Sequence, residues 1–470
     1  MILPVSLSMT GDQHERLIKH LFPSDGKEAV AVALCGRRDG ERRHRLMVQD
    51  ILYVPYDSCA RSAVEVTWPT DAIVPLLEKA TDRELSVVKL HSHPTGFPAF
   101  SQTDTDGDLE LLPMIRNWVD ADIPHCSVIM LPDGQMFGRA LISKGRFVPM
   151  ESINVVGDDL HFWYPKNGES AAGDFTASHA QLFGQGTTER LRRLSVGVVG
   201  CSGTGSPVIE QLMRLGIGEL VLVDDDRMEE RNVNRIINST MDDAREGRFK
   251  VDVLSRAIEQ TGLGTRVVPI AKNLWDKEAI YAVGQCDILF GCLDSIDGRY
   301  LLNSIATFYT QPYFDIGIRL DAVPSGAQRG RIREVCGSVH YLQPGRSSLI
   351  SRGLISFEQI AAAGLRRNDP AAYKLQAGEG YISGVTERHP AVISVNVFAA
   401  SLAVNEMLAR IHPYREEANS FYAQDEFSLA SMELLAESES TPCPVLKSKV
   451  GVGDCSPLLG LPELTVRSAA

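Results

Sequence analysis

The sequence predicts two α/β units in tandem. The first is a mixed α/β domain over residues 1–150. The second is a Rossmann-like, doubly wound, mostly parallel sheet over residues 181–415. Three observations carry this. A chain of 470 residues exceeds what one compact core sustains. Short apolar runs alternate with helix-like segments throughout 181–415, the rhythm of βαβ units. Between the two lies 151–180, "DDLHFWYPKNGESAAGDFTASH" at its centre, polar and rich in small residues, which reads as a linker.

In the first unit, GDQHERLIKHLF (11–22) has helical spacing and EAVAVALC (28–35) suits a buried strand. TDAIVPLLEKA (70–80) reads as a helix with Thr70 as its cap, and LSVVKLHSH (85–93) as a strand. In the second, LSVGVVG, GELVLVDDD, TRVVPIA, CDILFGCLD and QPYFDIG are the strands. HPAVISVNVFAASLAVNEMLARI (389–411) is a long apolar helix for a core or a dimer interface. Residues 416–470 read as a tail.

Composition narrows the function. Hydrophobic content of 44% and charged content of 23% are those of a soluble globular protein. A net charge of −13 argues against a nucleic-acid partner. No apolar run approaches a bilayer span, and the first residues, MILPVSLSMTGDQ, lack the basic start of a signal peptide. Nine scattered cysteines without a C-x-x-C pair read as free thiols, so a cytoplasmic setting without membrane attachment is expected.

The first chemical constellation is HSHPTGFPAFSQTD (91–104). Residues two apart on a strand share a face, so His91 and His93 point one way. Ser101-x-x-Asp104 is a helix capping box, which aims Asp104 back at the strand. Two imidazoles and a carboxylate leave a fourth position for water, the arrangement of a catalytic zinc site, where the water's pKa falls to near neutrality. Glu28, at the mouth of the neighbouring strand, suits the proton acceptor. Ser101 suits an oxyanion donor. This spacing resembles the JAMM motif of the JAB/MPN metalloproteases, over about residues 10–150. The resemblance implies a cytidine-deaminase-like α/β fold holding Zn²⁺, and a peptidase or isopeptidase acting beside the C-terminus of a ubiquitin-like protein.

The second constellation is RLSVGVVGCSGTGSPVIEQLMRLG, a strand, a glycine turn (Gly200, Gly203, Gly205) and a helix, which cradles phosphate. Asp224-Asp225-Asp226 ends the next strand, where an acidic residue holds a ribose. These features fit NAD as well as ATP, so an oxidoreductase with a metal-bearing extra domain is one alternative. Asn232, Arg235, Lys250 and Asp294 follow in order, and two cations with a carboxylate suit a triphosphate with Mg²⁺ better than a dinucleotide. This order resembles the ThiF/MoeB-type ubiquitin-activating, adenylating enzymes. By that resemblance Asp224, in a D-x-D with Asp226, holds ribose; Asn232, Arg235 and Lys250 hold the phosphates; Asp294 holds magnesium; and the domain forms a homodimer. The implied reaction is ATP-dependent adenylation of the C-terminus of a ubiquitin-like protein, or of a sulfur carrier on its way to a thiocarboxylate.

Three departures stand beside it. Ser202 replaces a glycine of the turn. Ser178 stands where an arginine often precedes the Phe183-Gly184 pair. No cysteine lies between Cys336 and Cys443, and Ser348 and Ser351 occupy the spacing of a family C-x-x-C. Cys336 reads as a strand residue and Cys443 as part of a mobile tail. Without a nucleophilic cysteine the acyl group passes to an external thiol of a conjugating protein, or to a serine. The expectation is a two-enzyme fusion of a bacterial-type conjugation pathway, with a degenerate binding scaffold as the remaining alternative.

Overall fold

The computed structural model describes residues 3–142, 145–165, 175, 177–322, 331–378 and 392–465. These fall into two compact units. The first comprises residues up to 169 together with 308–310 and 449–470, and the second the remainder.

The first unit opens with β1 (Val5–Thr10) and α1 (Gly11–Leu21). Thr10 starts α1 with a capping box: Gln13 N–H donates to Thr10 Oγ1, and Thr10 N–H to Gln13 Oε1. There follow β2 (Val30–Asp39), β3 (His44–Tyr53), a small hairpin of β4 (Ala60–Arg61) and β5 (Val66–Thr67), α2 (Val74–Arg83), β6 (Ser86–Ser92) and α3 (Gln102–Val119). The unit continues with β7 (His125–Met130), β8 (Met136–Ile142), β9 (Arg146–Pro149), β10 (Ser152–Val156) and β11 (Leu160–Trp163). Nine of these strands form one mixed sheet in the order β11-β10-β1-β3-β2-β6-β7-β8-β9.

Alternation along β2 builds both faces of this sheet. Ala29, Ala31, Ala33 and Cys35 pack with Leu17 and Leu21 of α1. Val32 and Leu34 pack with Leu76 and Leu77 of α2 and Leu112 and Ile115 of α3. Each such leucine contributes about 1.5–3 kcal/mol by leaving water.

Several expectations are revised here. Thr70 is no helix cap: it opens a 3₁₀ turn, Thr70–Ile73, that follows Pro69 and has no side-chain cap bond. Residues 152–163, expected as linker, are β10 and β11, with β10 parallel to β1. Their alternating Ile153, Val155 and Phe162 are buried, a period the flanking polar residues obscured. Residues 166–174 and 176 of that stretch lie outside the described residues.

The second unit begins with α4 (Ala177–Phe183) and α5 (Gln185–Arg193). It continues through β12 (Ser195–Val199), α6 (Gly205–Arg214), β13 (Glu219–Val223), α7 (Met241–Arg245), α8 (Lys250–Thr261), β14 (Arg266–Ile270), α9 (Lys277–Val283), β15 (Ile288–Gly291) and α10 (Ile296–Phe308). The last elements are β16 (Tyr313–Ala322), β17 (Ile332–Leu342), α11 (Phe357–Asn368), α12 (Pro370–Gly378), α13 (Ile393–Ile411), β18 (Gln424–Ser428) and β19 (Glu433–Glu437). The sheet order is β14-β13-β12-β15-β16-β17-β18-β19. Its first five strands are parallel, as the βαβ rhythm requires. The last three add antiparallel strands.

The end of the chain departs most from its expectation as a tail. Residues 424–437 are strands of the second sheet, and Cys443 is fully buried. Residues 449–465 belong to the first unit. There Asp454 N–H donates to Arg37 O at 2.7 Å, Asp454 accepts from Tyr309 Oη at 2.8 Å, and it pairs with Arg38 at 3.1 Å. Gly36 makes this approach possible: a Cβ there would stand 2.2 Å from Gly451 O and 2.3 Å from Val452 O. We therefore expect Gly36→Ala to destabilise the first unit by about 1–3 kcal/mol. Hydrogen exchange should accelerate at the Gly453 and Asp454 amides, and unchanged protection there would refute the contact's importance.

Candidate functional site

The first site grows from the end of β6. His91 lies in the strand and His93 just beyond it, where Pro94 ends extended pairing. Both imidazoles are buried. Across from them α3 starts with the expected capping box: Asp104 N–H donates to Ser101 Oγ at 3.1 Å, and Ser101 N–H to Asp104 Oδ2 at 2.7 Å. The cap turns the Asp104 carboxylate to the histidines, with His91 Nε2 2.9 Å from Oδ1 and His93 Nε2 3.4 Å from Oδ2. Glu28 Oε1 is 3.9 Å from His93 Nε2.

Protonation follows from the partners. His93 Nδ1 lies 2.8 Å from Phe97 O. A carbonyl only accepts, so Nδ1 carries a proton and Nε2 is the nitrogen that faces the carboxylates. Burial, with Lys89 nearby, lowers the His91 pKa to about 4, so that ring is neutral. Burial opposes ionisation of Asp104, but the two imidazoles outweigh it and hold the carboxyl well below the usual range. Burial pushes Glu28 up to about 7, with His93 opposing. A buried carboxyl poised near neutrality is what proton exchange at pH 7 requires.

The donors fit a zinc ion. One atom each from His91, His93 and Asp104 lies within 4.8 Å of the others. Both ring nitrogens of His91 are buried without an aligned hydrogen bond, an expense that a ligand would remove. Ser101 is more committed than the sequence suggests. Its hydroxyl donates to Asp104 Oδ2 at 2.7 Å, so it orients the carboxylate here and serves an oxyanion only by exchanging that bond.

Sequence reasoning missed Arg61. Its Nε donates to Glu28 O at 2.6 Å, its Nη1 pairs with Asp25 at 2.9 Å, and its guanidinium lies over the Tyr56 ring at 4.4 Å. Glu28 N–H donates to Ser62 O at 2.7 Å. The backbone of Glu28 is thus held on both sides, although Glu28 precedes β2 and lacks strand pairing. A hairpin arginine bears no sequence mark of this role.

The second site is the turn between β12 and α6. Gly200 has φ +90°, and a Cβ on it would meet Cys292 O at 2.5 Å. The loop after β15 therefore runs directly beside the turn, and it carries the exposed Asp294 two residues on. A Cβ at Gly205 would lie 1.9 Å from Gly200 O, and one at Gly203 would strike Asn396 and Arg235. Arg235 accordingly borders the turn, its Nη1 donating to Arg231 O at 2.6 Å. Ser202 is accommodated, its carbonyl accepting from Ser206 N–H at 2.9 Å.

Asp224 braces the turn by accepting from Cys201 N–H at 2.7 Å and from Asp226 N–H at 2.9 Å. Burial raises its pKa, opposed by Lys250. Lys250, the first residue of α8, is buried and lies 2.5 Å from Asp226 Oδ2 and 3.9 Å from Asp224 Oδ1. Asn232 Oδ1 accepts from Glu229 N–H at 3.0 Å, which commits its oxygen to a local turn. Asp294 contributes a single carboxylate, enough for magnesium only where phosphates supply further oxygens. Asn396, on α13, was not anticipated: its amide lies 3.0 Å from Thr204 Oγ1 at the turn. One signal existed, an asparagine on the buried face of an apolar helix.

The profile of the ThiF family matches residues 176–445. The chain belongs to the ThiF family. A profile of prokaryotic homologs of the JAB domain matches residues 11–140, so this ThiF protein is a fusion of a JAB-like and a ThiF domain. The ubiquitin-like modifier-activating enzyme 5 of Culex quinquefasciatus is 26% identical over 211 residues, covering 42% of this chain and 49% of that one. The adenylyltransferase and sulfurtransferase UBA4 of Meyerozyma guilliermondii is 29% identical over 132 residues, or 28% of this chain and 30% of that one. This ThiF protein spans about half the length, or less, of these curated relatives. The crystal structure of E. coli MccB with ATP matches with a TM-score of 0.42 at 20% identity, covering 60% of this chain and 75% of that one.

Other expected positions resolve simply. Ser178 lies on α4. Cys336 is in β17, as expected. Ser348 and Ser351, at the family's C-x-x-C spacing, bond reciprocally: Ser348 N–H donates to Ser351 Oγ at 2.9 Å and Ser351 N–H to Ser348 Oγ at 3.2 Å. Cys443 is buried rather than mobile, and all nine cysteines are thiols, as expected. Among the described residues no helix is long and apolar enough to cross a membrane.

If Asp104 depends on its cap, Ser101→Ala should weaken zinc binding by about 10–100-fold. Competition with a chromogenic chelator checks this, and an unchanged affinity would show that the cap does not orient Asp104.

Proposed function

We propose that this ThiF protein is a bifunctional enzyme of a ubiquitin-like protein pathway. Its first unit is a zinc-dependent peptidase or isopeptidase, and its second adenylates the C-terminus of the same small protein with ATP. The observation that carries the reading is the convergence of His91, His93 and Asp104 in one unit of a chain whose other unit is a ThiF domain. Its relatives' names, a ubiquitin-like modifier-activating enzyme and an adenylyltransferase, support the second half.

In the first unit His91, His93 and Asp104 would hold the zinc. When bound it supplies an activated water and polarises the scissile carbonyl. Glu28 takes the proton from the attacking water and returns it to the leaving amine. Arg61 and the Ser62 carbonyl keep Glu28 in place. Ser101, released from Asp104, donates to the developing oxyanion.

In the second unit the work is charge neutralisation and positioning. The turn of Gly200, Gly203 and Gly205, packed closely against the protein's own atoms, would offer its backbone N–H groups to the triphosphate, and Asp224 keeps the turn in shape and faces the ribose. Arg235, Lys250 and Asn232 would serve the phosphates, and Asp294 would hold the magnesium. A carboxylate oxygen of the small protein attacks the α-phosphorus, and the bond to pyrophosphate breaks. The thiol of a conjugating protein then takes the acyl group from the adenylate, and AMP leaves. A homodimer in the cytoplasm is the proposed form. The name of the UBA4 relative, a sulfurtransferase as well, favours one second reading: a sulfur carrier charged through the same first step.

We expect Glu28→Ala to keep stoichiometric zinc while cleavage of a C-terminal fusion falls about 10²–10⁴-fold. Loss of the zinc would contradict its assignment as a base. Asp294→Ala should abolish carrier-dependent ATP–pyrophosphate exchange with peptidase activity intact. Removing zinc with a zinc-selective chelator, with Mg²⁺ kept in excess, should do the reverse. Equal loss of both activities in either experiment would remove the two-site reading.

A further inference from the structure

One buried cluster has no part in the reaction above. On β6, Lys89 precedes His91 by two residues and shares its face. On α3, Asp108 follows Asp104 by four and shares its face. Lys89 Nζ lies 2.8 Å from Asp108 Oδ1. Arg139 of β8 reaches the other oxygen, with Nε at 3.1 Å and Nη2 at 2.7 Å from Oδ2. Asp108 is fully buried. Arg139 is clamped between the rings of Phe100 and Phe147, at 3.8 and 4.2 Å. Its Nη1 also donates to Thr105 Oγ1 at 3.1 Å, and that hydroxyl donates to Ser101 O at 2.9 Å.

The spacings explain the arrangement. Two residues of strand advance about 6.6 Å, and four residues of helix about 6 Å. A helix laid along β6 can therefore match two carboxylates to two strand side chains at once, Asp104 to His91 and Asp108 to Lys89. Slipping α3 by one residue would break both matches together. A buried ion cluster adds little net stability over apolar residues of the same volume, and its best-attested use is to fix register. Asp108 also holds the Lys89 ammonium in an ion pair of its own.

We propose that Lys89, Asp108 and Arg139 are positioning residues that lock the register of α3 on β6 and thereby place Asp104 and Ser101 at the metal site. The inference rests on the metal-site reading above. Its test uses the full chain, stripped of metal, with Co²⁺ as the probe. Visible absorption reports the ligand geometry, titration gives the affinity, and circular dichroism monitors the fold. Asp108→Asn should weaken Co²⁺ binding about 10–100-fold and shift its bands. In an Asp104→Ala background the same change should alter affinity by less than about twofold, because the lock acts through Asp104. The triple variant Lys89→Met/Asp108→Leu/Arg139→Met leaves no unpaired charge, so it carries the test should Asp108→Asn fail to fold. It too should lose affinity and shift the spectrum. A folded triple variant with wild-type affinity and bands would overturn the proposal, as would an equal loss from Asp108→Asn with and without Asp104. Wild-type protein that bound no Co²⁺ would overturn the metal-site reading and this inference together.

Discussion

The carboxylate of Asp104 is the constraint on which the first unit's chemistry depends. It must stay ionised while half-buried, and it must point away from the helix it begins. Ser101 solves both problems. Its N–H and hydroxyl each donate to Oδ2, and the helix start favours negative charge. The carboxylate then faces two imidazoles, one of them held neutral by burial and the other fixed in tautomer by a backbone carbonyl. His93 and Asp104 are each oriented by a partner outside the cluster, Phe97 O and Ser101, which helps define a metal site geometrically.

The second unit uses a carboxylate in a related way. Asp224 accepts the Cys201 N–H and so shapes the glycine turn rather than standing free in a cleft. The turn owes its form to crowding as much as to conformation. Gly203 and Gly205 are needed because Asn396, Arg235 and the Gly200 carbonyl already fill the space a side chain would take. The long helix α13 thus closes the turn, which its apolar composition alone did not indicate.

Legibility followed the range of the interaction. His91, His93, Ser101 and Asp104 were readable because strand period and helix cap are local rules. The parallel strands β12 to β16 were readable because each is a short apolar run. Partners brought from elsewhere were not. Arg61, Asp108, Arg139 and Asn396 act across 33, 19, 31 and 192 positions, and single-sequence periodicity carries nothing over such spans. β10 and β11 were lost because polar residues stand between their apolar ones, although Ser152 and Asn154 are buried as well. Residues 416–470 read as a tail because glycines and prolines that allow close packing look the same as those of a loose chain. Gly451 and Gly453 are there for the first reason, against β3 and β2 respectively.

Two lysine–aspartate pairs show why exposure, more than distance, separates a fixed device from a responsive one. Lys250 and Asp226 are as close as Lys89 and Asp108. Asp226, however, has 70% of its side chain exposed and Asp108 none. A triphosphate arriving at the turn, as proposed, competes with Asp226 for Lys250. Water then rehydrates the released carboxylate at little cost. The same exchange at Asp108 would strand a buried anion, which costs several kcal/mol. The first pair is therefore built to yield its lysine to a ligand, and the second to hold one geometry whether or not a ligand is bound.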